Sequence, residues 1–170
     1  LGKALGNGFP IAAILGKREI MQAAQNSFIS STFWTERSGY VAGLKTLEIM
    51  EKIQSWKIVT ATGKQIIKKW HMLRKKHDLS MSIQGIPALC NFTFGSDKNI
   101  EYKTFITQKM LKNNFLASNV VYSSVAHTDK VLKNYFHILD EALLTIADCE
   151  NGDNIYNYIE GPLSNTSFRN

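Results

Sequence analysis

Between about Ser55 and Asp148, three helical apolar stripes alternate with short runs of strand-forming residues, and that order limits the fold more than any other feature. The first stripe is Ile58, Val59, Thr62, Ile66, Trp70 and Leu73, within a helix from about Trp56 to His77 whose other face carries lysines. The second, Tyr102, Phe105, Ile106 and Met110, predicts a helix from Ile100 to Asn113. The third, Val131, Leu132, Tyr135, Phe136, Leu139, Leu143 and Ile146, follows Thr128, whose hydroxyl suits a helix cap. Between the helices lie Met81 to Phe94 and Phe115 to Tyr122. The former holds two strand candidates around Gly85-Ile86-Pro87, the better being Ala88 to Phe94; the latter holds one or two more. The order helix, strands, helix, strands, helix predicts a compact α+β unit with helices against a small sheet.

Residues 1–54 read as the end of a different domain. Gly2, Gly6, Gly8 and Pro10 exclude a helix in the first sixteen residues, and Ile11-Ala12-Ala13-Ile14-Leu15 predicts a buried strand ended by Gly16. A short helix is expected over Lys17 to Gln25. Asn26 to Thr35 is rich in hydroxyls yet carries Phe28, Phe33 and Trp34, which predicts an ordered loop. Thr35 is then expected to cap a helix that starts near Glu36 and runs along Val41, Leu44, Leu47, Ile49 and Ile53 to about Gln54. From Cys149 onward, Asn151-Gly152-Asp153-Asn154 and a late Gly-Pro predict a tail. The expected division is thus 1–54, 55–148 and 149–170. Leu1, with no initiator Met and no charged-then-apolar leader behind it, points to a segment of a longer chain.

Composition narrows the class. Apolar residues make up 44% and charged residues 20%, so a packed core is within reach and a disordered chain is excluded. No apolar run is long enough to span a bilayer. Cys90 and Cys149 cannot form a disulfide framework, and no Cys/His spacing suits zinc, so a reduced, cytoplasmic protein without a metal is expected. The net charge is +6, with Lys64, Lys68, Lys69, Arg74, Lys75 and Lys76 at helical spacing. That run reads as a solvated helix face, and the alternative is a basic module that binds phosphate-rich partners. No nucleic-acid-binding motif accompanies it, and neither nucleic acid nor membrane is an expected partner. Gly63-Lys64 lacks the first glycine of a phosphate loop, because Ile58 stands in its place.

The residues that could carry chemistry lie near the start. Lys3 stands beside Gly2 and ahead of Ala4-Leu5-Gly6-Asn7-Gly8-Phe9-Pro10. Flanking glycines let the backbone turn sharply and approach a bound group closely. A partly desolvated amine there has a lowered pKa and attacks aldehydes; an exposed turn lysine is the other reading of the same residues.

The run Lys3-Ala4-Leu5-Gly6-Asn7-Gly8-Phe9-Pro10-Ile11 resembles the end of the signature of class-III pyridoxal-phosphate aminotransferases. Ser31-Thr32-Phe33, followed by Gly43-Leu44-Lys45-Thr46-Leu47-Glu48, resembles that family's threonine loop and the helix after it. Ser124-Val125-Ala126-His127-Thr128-Asp129 before a long helix is similar to the family's closing small-domain element. The tail Ile159-Glu160-Gly161-Pro162 is similar to that of relatives of glutamate-1-semialdehyde aminomutase associated with surface glycans. Trp34-Thr35-Glu36-Arg37-Ser38 stands where many members have a Gly-Asn-Pro turn. That departure is similar to the glycan-associated branch and counts against the aminomutase reaction.

The resemblance implies the C-terminal part of a fold-type-I transferase: the end of a large α/β domain, then a small α+β domain. It implies that Lys3 forms the Schiff base with pyridoxal 5'-phosphate and that Thr32 contacts the cofactor phosphate of a neighbouring subunit in a homodimer. It also implies transfer of an amino group between an amino donor and a carbonyl acceptor, with aminomutase chemistry as the alternative. The family's upstream phosphate loop, stacking ring and pyridine aspartate are absent from these residues, so the segment alone is expected to be inactive. Beside that carry-over, Thr32 and Thr35 precede a helix, so their hydroxyls and amides could converge on a phosphate. Arg37 reads either as a candidate for a substrate carboxylate, which guanidinium grips through two bonds, or as a helix-surface arginine paired with a nearby acid. His127 reads as structural, and His71 and His77 as surface residues.

Overall fold

The computed structural model describes residues 1–164, and the chain divides into two compact units, Leu1–Ser55 and the residues from Trp56 on. In the first unit Lys3–Leu5 form a single 3-10 turn. Turns succeed one another there: Leu5 N donates to Gly2 O (3.1 Å), Asn7 N to Ala4 O (3.2 Å) and Phe9 N to Gly6 O (3.0 Å). The strand expected over Ile11 to Leu15 does not form, and Ile14 and Leu15 are 65% and 74% exposed. Only Ala13 is paired, exchanging hydrogen bonds with Leu1 in both directions. An apolar run alone does not make a strand, which needs a neighbour to bond along its length, and among the described residues only Leu1 pairs with this one.

Helix α1 (Arg18–Met21) is one turn long and continues as a 3-10 turn over Gln22–Asn26, in place of one longer helix. Helix α2 (Arg37–Ile53) is capped by Glu36 and not by Thr35. Both Glu36 carboxylate oxygens accept from Ser38 N at 3.1 Å, and Oε1 also accepts from the Ser38 hydroxyl. A carboxylate two residues ahead of that amide satisfies an orphan donor and brings the negative charge a helix start favours, which a threonine hydroxyl lacks.

The second unit is the expected α+β arrangement. Helix α3 (Ser55–Lys76) precedes a hairpin of β1 (Met81–Ile86) and β2 (Leu89–Phe94), with Pro87-Ala88 as its two-residue turn. Helix α4 (Asn99–Lys112) buries Tyr102, Phe105, Ile106 and Met110, the four positions its period predicts. Strand β3 (Val120–Tyr122) pairs antiparallel with β2, giving the order β1-β2-β3. Helix α5 (Asp129–Glu150) opens at Thr128, whose hydroxyl accepts from Val131 N. Its stripe is buried from Leu132 to Ile146, while Val131 stays partly exposed.

The core joins these elements through a file of edge-to-face rings. Trp70 and Phe92 lie 4.8 Å apart, Phe92 and Phe94 5.8 Å, and Phe94 and Tyr102 5.3 Å. Trp70 Nε1 donates to the Tyr135 hydroxyl at 3.1 Å inside that core. Helix α3 reaches the hairpin at Gly63: a Cβ there would overlap the Pro87 carbonyl, so glycine is what allows the contact.

Residues 149 and 150 close α5, and much of the chain beyond them is packed, not trailing. Ile155 is fully buried. Gln108 of α4 donates to Tyr158 O and accepts from Glu160 N, both at 2.8 Å, and Thr104 Oγ1 accepts from Ser164 N at 3.0 Å. Residues 165–170 of the expected tail lie outside the described residues. His77 departs from expectation too. Its side chain is 6% exposed and its Nε2 lies 2.6 Å from Asp140 Oδ1, while that carboxylate also pairs with Lys76.

Candidate functional site

Lys3 sits in the 3-10 turn with φ of 49°, the left-handed region that side chains other than glycine rarely adopt. Holding it costs about 1 kcal/mol or more, and such strain concentrates where a residue has work to do. The side chain is exposed, and among the described residues its Nζ has no hydrogen-bond or ion-pair partner. Within this chain Lys3 is therefore an exposed turn lysine, accessible and unpartnered but not desolvated.

Thr32 to Thr35 form a turn directly ahead of α2. Glu36 N donates to Phe33 O (3.2 Å), and the Tyr40 hydroxyl donates to Trp34 O (3.2 Å), which ties the turn to the first coil of α2. Neither threonine hydroxyl, nor the amides of Thr32, Trp34 and Thr35, has a partner among the described residues. The start of α2 itself is already countered by the Glu36 carboxylate, held below the usual carboxylate range by its hydrogen bonds from Ser38. An anion at this turn would therefore meet hydroxyls and turn amides, not the open helix end that the sequence suggested.

Arg37 is the first residue of α2 and is exposed, with no ion pair among the described residues. A cavity of about 440 Å³ brings the chain just after the lysine turn, Pro10 to Ala12, against Ser30, Ser31, Phe33 and Trp34. Lys3, Thr32, Thr35 and Arg37 are not in its wall, so it adjoins the predicted residues without gathering them. Sequence reasoning missed Tyr40, whose tether depends on a helix position facing back to its own leader. His127 behaves as a structural residue: its Nδ1 accepts from Ser124 N at 3.3 Å, just before the α5 cap.

Lys3 in its turn and the unpartnered hydroxyls ahead of α2 both belong to the first unit, in the part of the chain that the family comparison covers. The family model for class-III aminotransferases matches residues 1–134, and the chain belongs to that family. It is similar to a 3-aminobutyryl-CoA aminotransferase of Cloacimonas acidaminovorans, at 32% identity over 85% of this chain and 36% of that protein. A glutamate-1-semialdehyde 2,1-aminomutase of Saccharolobus islandicus is 28% identical over 79% of this chain and 35% of its own length. Among solved structures, the PLP internal aldimine form of the FumI protein of Sphingopyxis sp. MTA144 superposes with a TM-score of 0.76 at 21% identity. That match covers 92% of this chain and 38% of the other. An omega-transaminase from Sphaerobacter thermophilus gives 0.74 at 15% identity, covering 86% and 38%. These likenesses show the fold, an α/β and α+β portion of a transaminase. The chain spans a little over a third of the length of the curated relatives it matches.

Proposed function

We propose that this chain is the C-terminal portion of a pyridoxal-phosphate-dependent aminotransferase that moves an amino group between a small-molecule donor and an aldehyde or ketone. The observation that carries the reading is Lys3: a strained, unpartnered amine within the stretch matched by the family. The donor set fits the cofactor. Lys3 would hold the aldehyde carbon of its own subunit's cofactor, and the Thr32 hydroxyl, with the turn amides and more weakly the Thr35 hydroxyl, would hold the phosphate of the partner's. Bound there, pyridoxal phosphate supplies an electron sink for the carbon that loses a proton.

Lys3 Nζ would have two duties. Its amine would hold the cofactor and, when free, would carry the proton to and from the substrate's alpha carbon. Arg37 would face a substrate carboxylate. The assembly is a homodimer on this reading, with Thr32 serving the partner's cofactor. That fits the exposure of the first unit's apolar side chains, of which Phe28 is 94% and Trp34 61% exposed. A reducing, cytoplasmic setting belongs to the same proposal and rests on Cys90 and Cys149, which are free, buried thiols.

Borohydride reduction of the full-length protein, followed by peptide mass spectrometry, tests the reading. The cofactor mass is expected on Lys3, and Lys3→Ala should lose both label and turnover. A Lys3→Ala protein with normal transamination defeats it. The aminomutase relatives at 28% identity favour a second reading, in which the amine stays on one molecule. Release of a free keto acid from the donor supports transfer between molecules; its absence during turnover supports the mutase.

A further inference from the structure

We propose that Gly39 is a positioning residue for Lys3, setting how closely the lysine-bearing turn seats on α2; the proposal rests on Lys3 being the cofactor-linking amine. Gly39 and Gly43 are the buried residues of α2 and lie four apart, on one face. A methyl group on Gly39 would stand 2.6 Å from Pro10 O and 3.2 Å from Ile11 Cβ. Neither atom can swing aside, so the chain itself would have to move by most of an ångström. A methyl group on Gly43 would meet Ile11 Cδ1 at 3.6 Å and Leu5 Cγ at 3.7 Å, ordinary contact distances. One glycine is a stop; the other has room.

A shift at Pro10 passes to Lys3 through a short run of hydrogen-bonded turns. Within that run, a Cβ on Gly6 would overlap the Phe9 carbonyl. On the other side, Tyr40 ties the Thr32–Thr35 turn to α2 through Trp34 O. The amine and the hydroxyl turn are therefore both referenced to consecutive residues of one helix. Gly39 fixes the offset between them.

In the full-length enzyme, with the borohydride label mapped to Lys3, Gly39→Ala is expected to lower kcat about 10- to 100-fold, the scale of an ångström's misplacement, with KM nearly unchanged. It should also move the pH at which the visible band of the lysine-linked cofactor changes. Gly43→Ala should leave kcat and that pH profile as they are. If Gly39→Ala does not fold, Ile11→Ala trims the side chain that stands against Gly39 and must shift the spectral profile. A label on Lys3 with kcat and pH profile unchanged in the folded variant overturns the proposal alone, as does equal damage from Gly43→Ala. A label elsewhere overturns the underlying reading and this proposal with it.

Discussion

Arg37 occupies a position that electrostatics disfavours. A cation in the first turn opposes the helix dipole by about 0.3–1 kcal/mol, and the Glu36 carboxylate that answers the dipole is taken up by Ser38 and makes no ion pair with Arg37. Such a residue suits a negative charge that arrives from outside the unit. Arg37→Ala should therefore raise KM about tenfold more for a donor bearing a carboxylate than for an amine lacking one; equal losses for both would defeat the assignment. Legibility at this scale divides by distance along the chain. Lys3 and Thr32 stand in contiguous motifs and could be singled out from them. The partner of His77 is 63 residues away, and no local pattern announces Asp140. Glu36 and Thr35 are both competent caps, and only the reach to Ser38 decides between them.

Among the elements, α3 and the β1–β2 hairpin meet through the smallest possible side chain. Gly63→Ala would force the Pro87 backbone away from the helix, an overpacking that costs about 1–3 kcal/mol. Urea denaturation of the full-length protein should show the midpoint of this unit falling accordingly, and a change below about 0.5 kcal/mol would show that the contact yields. The sequence offers Gly63 as a failed phosphate loop; its use is steric and visible only once the hairpin is in place. Helix α4 was fully legible because one face carries its whole burial pattern. Ile11 to Leu15 was not, because strand formation depends on bonding partners that periodicity does not reveal.

Over the whole molecule, one charged cluster ties distant stretches of the second unit together. Lys76 Nζ and His77 Nε2 both lie 2.6 Å from Asp140 carboxylate oxygens. Partial burial pushes the Asp140 carboxyl up, but hydrogen bonds and charge from Lys76 and His77 outweigh it, so it titrates below its ordinary value of 3.8. The stabilisation from this ionised group is complete above that value and drains away as pH falls through the lower folded-state value. Melting temperature should thus fall more steeply below about pH 4 in the wild type than in Asp140→Asn; equal slopes would remove Asp140 from the acid response.

The seat of Trp70 carries an optical consequence. Trp34 and Trp56 are half or more exposed, whereas Trp70 is sealed against Phe92 and bonded to Tyr135. Its emission should be blue-shifted and shielded from iodide, while the other two indoles are quenched. Loss of that shielded fluorescence therefore reports melting of the second unit's interior without any added dye.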